Sequence, residues 1–177
     1  MTRVLALFTC FNRKEKSVHA VESLISGNPQ IDFTFLVVDD GSTDGTAEAL
    51  QKFPVRILRG AGSLFYSRGM GLGMDTLLRE KTDYDYLLMM NDDVAFFPHC
   101  IEALATQSGG RDVIVGATRD TRGNLSYSGI QYEKGIHYRF MNPGEAQEAD
   151  TMKYCWKIRS LRPSSSLSSG YRNSVRL

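Results

Sequence analysis

The sequence predicts an α/β fold, an open and mainly parallel sheet flanked by helices. Through the first 120 residues, short apolar runs alternate with stretches of helical apolar spacing. The runs are continuous in apolar character, as expected of strands covered on both faces. Glycine, proline, asparagine and aspartate mark the joints between them. Five βα-type repeats of this kind fit a layered domain with a largely parallel sheet.

The elements follow in order. Arg3 to Phe11 (RVLALFTCF) reads as the first strand, with turn-forming Asn12 after it. Val18, Val21, Leu24 and Ile25 then recur at helical spacing, and Gly27-Asn28-Pro29 stops that helix. Phe33 to Val38 is a second strand running onto Asp39-Asp40. Ser42 or Thr43 is placed to cap a second helix, whose apolar face begins with Ala47 and Leu50. Val55 to Leu58 is a third strand, closed by Gly60 and Gly62, and Met70, Met74, Leu77 and Leu78 mark a third helix. Tyr84 to Met90 is a fourth strand. Pro98 suits a helix start before Ile101, Leu104 and Ala105, and Asp112 to Thr118 reads as a fifth strand. Beyond residue 120 the pattern changes to short strands and loops without clear helices.

Composition agrees with a packed core: 42% of the 177 residues are hydrophobic and 23% charged. No run of 18 apolar residues predicts a membrane span. The N-terminal apolar run contains Thr9, lacks a small-x-small cleavage site and continues into a helix pattern, so a signal peptide is not expected. Cys10, Cys100 and Cys155 are widely spaced, without a CxxC pair, which suggests neither a disulfide framework nor a zinc site and fits a reducing cytoplasm. The net charge of +1 is uneven: six Lys and Arg follow Asp150 with no acid among them, leaving a formal −5 for residues 1–150. The expected organisation is an alternating α/β half over 1–120, a region of short strands and loops over 121–152, and a basic Ser/Arg-rich tail over 153–177.

In open parallel sheets, ligands bind beyond the carboxyl ends of the strands. Three strands end in polar groups at that edge. The first supplies Thr9, Asn12 and Arg13; the second Asp39, Asp40, Gly41 and Ser42; the fourth Asn91, Asp92 and Asp93. One strand ending on Asp is ordinary turn chemistry. Two Asp pairs on one ligand-binding edge point further, because adjacent carboxylates at the rim of a core repel and lose hydration. A cation offsets both. Hard oxygen ligands favour Mg²⁺ or Mn²⁺, which bind through one or two carboxylates together with substrate phosphates. The edge therefore reads as half of a metal–diphosphate clamp.

Other signals are weaker. Gly60-x-Gly62 follows the third strand, but Phe65 stands where a dinucleotide fingerprint needs Gly or Ala. Gly69, Gly71 and Gly73 cluster at a helix start, where either a phosphate or a neighbouring strand approaches closely. Arg68 beside them either contacts a phosphate or lies on the surface. His19, His99 and His137 have no metal-ligand spacing, and Ser42 and Ser67 have no visible histidine partner.

The segments TCFNR, FLVVDDGSTDGTAEAL, SRGMGLGMD and YLLMMNDD, in this order and spacing, resemble the family 2 glycosyltransferases of the GT-A (Rossmann-like) fold over residues 3–120. The stretch GSLFYSRGMGLGM is also similar to members acting in bacterial surface-polysaccharide assembly, including rhamnosyltransferases. The resemblance implies transfer of a sugar from a UDP- or dTDP-sugar to an acceptor hydroxyl on a glycan or lipid-linked carrier, with inversion and with Mg²⁺ or Mn²⁺. It implies that Thr9 and Asp40 contact the base, with Asn12, Arg13 and Ser42 beside them. Arg68 would lie near base and diphosphate, Asp92 would reach the ribose or metal, and Asp93 would hold the metal. Asn91 departs from the family's frequent Asp but keeps a carbonyl.

The catalytic base of inverting members, an Asp or Glu well beyond the DxD-like triplet, is not identified. The matching region lies past the chain or in a segment without acids, so a truncation or frame shift near residue 152 is expected, with a membrane-surface anchor as the other reading of the tail. Glu133, Glu145, Glu148 and Asp150 are substitute candidates. A donor-binding remnant without turnover and a nucleotidyltransferase are the alternative functions. The protein is expected in the cytoplasm or peripherally on the inner membrane face, with no nucleic-acid partner.

Overall fold

The computed structural model describes residues 1–81, 83–107, 114, 116–127, 130–132 and 138–140. The elements are β1 (Thr2–Cys10), α1 (Lys14–Gly27), β2 (Ile31–Asp39), α2 (Thr46–Leu50), β3 (Val55–Arg59), α3 (Phe65–Glu80), β4 (Tyr86–Met89) and α4 (Cys100–Gln107). Four short strands follow: β5 (Thr118–Arg119), β6 (Leu125–Tyr127), β7 (Ile130–Tyr132) and β8 (Tyr138–Phe140). The first four strands form a parallel sheet in the order β3-β2-β1-β4, while β5–β6 and β7–β8 pair as antiparallel hairpins.

The continuous apolar strands have their physical explanation in the core. Val4, Ala6 and Phe8 of β1 point to one face, with Phe33, Phe35 and Val37 of β2, against Ala20, Val21 and Leu24 of α1 and Ile101 of α4. Leu5 and Leu7, with Leu36 and Val38, point to the other face, against Met70 and Leu77 of α3. Both faces are covered, so the central positions of β1, Val4 to Phe8, are all apolar and buried; each fully buried Leu or Val side chain contributes about 1.5–3 kcal/mol.

The order of connections fixes where a ligand can bind. From β1 to β3 the chain moves one way across the sheet, and from β3 it returns through α3 over the opposite face to β4, outside β1. That reversal, between β1 and β4, is the switch point at which parallel sheets open a crevice.

Several sequence expectations shift. The buried stripe of α1 is Ser17, Ala20, Val21 and Leu24; Val18 and Ile25 only flank it. Ser42 and Thr43 do not cap α2. Its first residue is Thr46, its N-cap is Gly45 at φ +82°, and Asp44 accepts the Thr46 N–H at 3.0 Å. Leu78 faces solvent, whereas Leu77 is buried. Of the expected fifth strand over 112–118, Asp112, Val113 and Val115 lie outside the described residues; Ile114 is buried and Thr118 belongs to the β5–β6 hairpin. The tail 153–177, Cys155, His137, Glu133, Glu145, Glu148 and Asp150 also lie outside the described residues. Among the described residues, no helix is long and apolar enough to cross a membrane.

Candidate donor-binding site

A cleft of about 390 Å³ opens at the switch point. It is lined by Thr9 and Arg13 from the end of β1, Asp40 from the end of β2, and Asp92 and Asp93 after β4. Of the eight residues expected in the site, these five are brought together.

The two Asp pairs play different parts. Asp39 is buried and held by the main framework: Arg59 donates to its Oδ2 at 2.9 Å and the Ser42 N–H to its Oδ1 at 2.9 Å. Asp40 turns toward the loop after β3. Its Oδ1 accepts the Gly62 N–H at 2.9 Å, and its Oδ2 accepts those of Leu64 and Phe65 at 2.8 and 3.0 Å. Burial pushes the Asp40 carboxyl up, but the N–H groups of Phe65, Leu64 and Gly62 outweigh it and hold the carboxyl below the ordinary range. Gly60 makes room for this arrangement, since a β-carbon there would lie 2.5 Å from Asp40 Oδ1. The Gly60-x-Gly62 pattern thus serves a carboxylate of the protein itself.

Asp92 and Asp93 carry the repulsion that the sequence raised, and a cation does offset it: Arg13. Its Nη1 lies 2.7 Å from Asp93 Oδ2 and 3.5 Å from Asp92 Oδ1. Asp92 is buried and Asp93 is partly open. Burial pushes the Asp92 carboxyl above the ordinary range; Arg13 pulls it back and Asp93 adds to the rise.

Asn12 and Ser42 meet each other beside the cleft. Asn12, at φ +51°, donates its N–H to Ser42 Oγ at 2.9 Å and accepts the Thr43 N–H at 2.8 Å. This ties the β1 and β2 loops together. Thr9 packs beneath Gly69 of α3, where a β-carbon would lie 2.7 Å from its Oγ1. Arg68 is exposed on the first turn of α3 and does not line the cleft.

Three aromatic residues line the cleft that the sequence reading gave no role: Phe11, Phe65 and Tyr66, exposed by 52%, 78% and 54%. Their signal was position alone, within TCFNR and GSLFYSRGMGLGM. Cys10 also borders the cleft, but burial, with Asp39 and Asp92, pushes its thiol up to about 12, so it is no nucleophile near neutrality.

The donor set suits a hard divalent cation that relies on its ligand. Among the described residues, no group of three or more His, Cys, Asp or Glu is placed to hold a metal. Two carboxylates with waters and substrate phosphates are the usual complement for Mg²⁺ or Mn²⁺. Asp92 and Asp93 fit that role, provided Arg13 yields.

Residues 6–160 match the family model described as glycosyl transferase family 2. None of the curated proteins matches the chain. Among solved structures, a mannosyltransferase from Pyrobaculum calidifontis in complex with GDP-Man and Mn²⁺ is similar at 16% identity, over 68% of this chain and 36% of that one, with a TM-score of 0.50. TarS 1–349 from S. aureus in complex with UDP-GlcNAc is similar at 14% identity, over 72% of this chain and 38% of that one, with a TM-score of 0.53. These likenesses show the fold, a mainly parallel sheet flanked by helices. The chain spans less than two-fifths of either structure's length.

Proposed function

The chain belongs to glycosyl transferase family 2, and on that premise we propose that it binds a nucleoside-diphosphate sugar in the switch-point cleft and serves glycosyl transfer to an acceptor hydroxyl. The observation that carries this is the meeting of Thr9, Asp40, Asp92 and Asp93, from three strand ends, in one cleft. The neighbours' printed complexes, with GDP-Man and Mn²⁺ and with UDP-GlcNAc, support the ligand class.

Asp93 and Asp92 would hold Mg²⁺ or Mn²⁺ on the diphosphate. When bound, that cation neutralises charge on the departing diphosphate. Thr9 and Asp40 would border the base, with Asn12 and Ser42 fixing the loops around it; Arg68, exposed on the first turn of α3 and outside the cleft lining, would have to reach over to the diphosphate. Arg13, once released from the carboxylates, is within the cleft to meet the diphosphate's negative charge.

In the inverting reaction, the acceptor oxygen bonds to the anomeric carbon as the bond to the diphosphate breaks, and a carboxylate takes the hydroxyl proton. That carboxylate is unassigned; Glu133, Glu145, Glu148 and Asp150 are its candidates. The GSLFYSRGMGLGM stretch favours a polysaccharide or cell-envelope glycan acceptor of the rhamnosyltransferase-like kind.

Isothermal titration with UDP, dTDP and GDP, with and without Mn²⁺, tests the reading. One nucleotide should bind with Mn²⁺-enhanced affinity, and Asp93→Ala should remove the enhancement while circular dichroism stays native. A folded protein that binds none of the three overturns the proposal.

A further inference from the structure

Position 13 is where a helix cap belongs, and it holds an arginine. Arg13 is the N-cap of α1, and its side chain makes no capping bond. Helix starts favour Ser, Thr, Asp or Asn there, because a short side-chain oxygen accepts a free N–H of the first turn. The capping oxygens come instead from Asp44 and Thr46, at the start of α2. The Lys14 N–H donates to Asp44 Oδ2 at 3.0 Å, and the Arg13 N–H to Thr46 Oγ1 at 3.3 Å. Asp44 in turn fixes Thr46: its Oδ1 accepts the Thr46 hydroxyl and, at 3.0 Å, the Thr46 N–H. The Thr46 hydroxyl, and next the Lys14 N–H, hold the Asp44 carboxyl below its ordinary range, so it is ionised at neutral pH.

The same loop grips the residue before. Asn12, in the left-handed region, donates its N–H to Ser42 Oγ and accepts the Thr43 N–H. Four hydrogen bonds from 42–46 therefore fix the turn from Asn12 to Lys14. What this frees is the Arg13 side chain. A Ser or Asp at position 13 would cap α1 but is too short to cross to the residues after β4. With the cap supplied by Asp44 and Thr46, position 13 carries a long cation into the cleft, where Nη1 meets Asp93 and Asp92. The ion pair is not what holds the turn. It is nearly half exposed on the arginine side, and such a pair contributes no more than about one hydrogen bond, against the four of the loop. Neither Asp44 nor Thr46 lines the cleft.

We infer that Asp44, acting with Thr46, is a positioning residue for donor binding: it holds Arg13 opposite Asp92 and Asp93, ready to pass from the carboxylates to a diphosphate. The inference rests on the donor-site reading above and adds to it a group that never touches the ligand.

Two measurements on the full chain test it: titration of free Mn²⁺ by electron paramagnetic resonance, and calorimetry with UDP, dTDP and GDP in saturating Mn²⁺. Thr46→Val keeps the shape and the charge but takes away the acceptor of the Arg13 N–H. It should bind Mn²⁺ alone about two- to fivefold more tightly, as Arg13 leaves the carboxylates. It should bind the preferred nucleotide up to about tenfold more weakly, as when one charge-assisted hydrogen bond is lost. Asp44→Ala should move both affinities in the same directions. Loss of its negative charge alone would weaken a cation, so tighter Mn²⁺ binding there comes through Arg13. In an Arg13→Gln background, neither substitution should raise Mn²⁺ affinity further. Asn28→Ala, whose side chain bonds to Leu24 and Ile101 instead, should move neither affinity. A merely structural role for the loop would not tighten Mn²⁺ binding while weakening the nucleotide. Circular dichroism confirms that each variant is folded, and Thr46→Val decides if Asp44→Ala does not fold. Folded Thr46→Val with Mn²⁺ affinity at or below wild type overturns the positioning role, as does a further rise in the Arg13→Gln background. A wild-type chain that binds none of the three nucleotides overturns the donor-site reading and this inference with it, whereas wild-type nucleotide binding with Mn²⁺ affinity indifferent to Asp44 and Thr46 overturns this inference alone.

Discussion

Arg13 Nη1 stands 2.7 Å from Asp93 Oδ2 and 3.5 Å from Asp92 Oδ1, so the two carboxylates proposed to hold a divalent cation already hold a monovalent one. The guanidinium is nearly half exposed, and an exposed ion pair of this kind contributes only about 0.2–1 kcal/mol. An ion pair this weak would yield to a more strongly bound cation.

A competition follows. Arg13→Gln removes the resident charge and should raise the affinity for Mn²⁺ alone by about two- to fivefold, the equivalent of that weak pair. The same variant should bind UDP or dTDP in saturating Mn²⁺ more weakly than wild type, because the arginine released by the metal no longer meets the diphosphate. Titration of free Mn²⁺ by electron paramagnetic resonance reads the first effect and calorimetry the second. Unchanged Mn²⁺ affinity would mean that Arg13 does not compete.

Asp40 gives a pH dependence of stability with a definite sign. Its folded carboxyl is held below the ordinary value of 3.8 by main-chain N–H groups, against the opposing effect of burial. Between the folded and unfolded values the unfolded chain binds more protons, so stability rises with pH there. The contribution is fully present above 3.8 and is lost as pH falls through the folded value. Asp40→Asn places an NH₂ or a single acceptor against three N–H donors and should lower the melting temperature at pH 7. The gap from wild type should narrow steadily below about pH 4. Parallel thermal melts from pH 7 to pH 2.5 check it, and a gap independent of pH would contradict the assignment.

The glycines of α3 separate packing from ligand approach. A β-carbon on Gly69 would crowd Thr9, one on Gly73 would overlap the Leu7 side chain, and one on Gly71 would meet nothing within 4 Å. Gly71→Ala should therefore stabilise by about 0.5–1 kcal/mol, the usual gain from removing a helix-interior glycine. Gly73→Ala should destabilise by about 1–3 kcal/mol, since Leu7 is fully buried and has nowhere to move. Gly69→Ala should do likewise and also weaken nucleotide binding through Thr9. Urea denaturation of the three variants orders them.

How much of this was legible in the sequence depends on range. The strand ends were readable because a strand covered on both faces must be continuously apolar, so the polar residues that stop it stand out, as at Asp40 and Asp92. The partners were not. Arg13 and Asp93 are 80 positions apart, and only the parallel neighbours β1 and β4 bring them together. Arg59, the last residue of β3, neutralises buried Asp39 across the register Asp39–Arg59, a pairing between neighbouring strands that no local pattern announces. Phe65 was invisible as a site residue, because an aromatic beside glycines reads as core until its exposure is known.

Asn28 shows the same lesson in the framework and supplies the last prediction. In sequence it is the middle of Gly27-Asn28-Pro29, a helix stop. In the structure it is fully buried: its Nδ2 donates to Leu24 O at 2.9 Å, and its Oδ1 accepts the Ile101 N–H at 2.8 Å. One side chain thus joins the last turn of α1 to the first turn of α4. Asn28→Ala leaves the buried Ile101 N–H and Leu24 carbonyl without that partner and should cost about 2–3 kcal/mol. Asn28 is not among the cleft-lining residues, so nucleotide affinity at a temperature where the variant is folded should match wild type. Chemical denaturation together with calorimetry reads both; a variant that keeps its stability would show that the two helices are held by apolar packing alone.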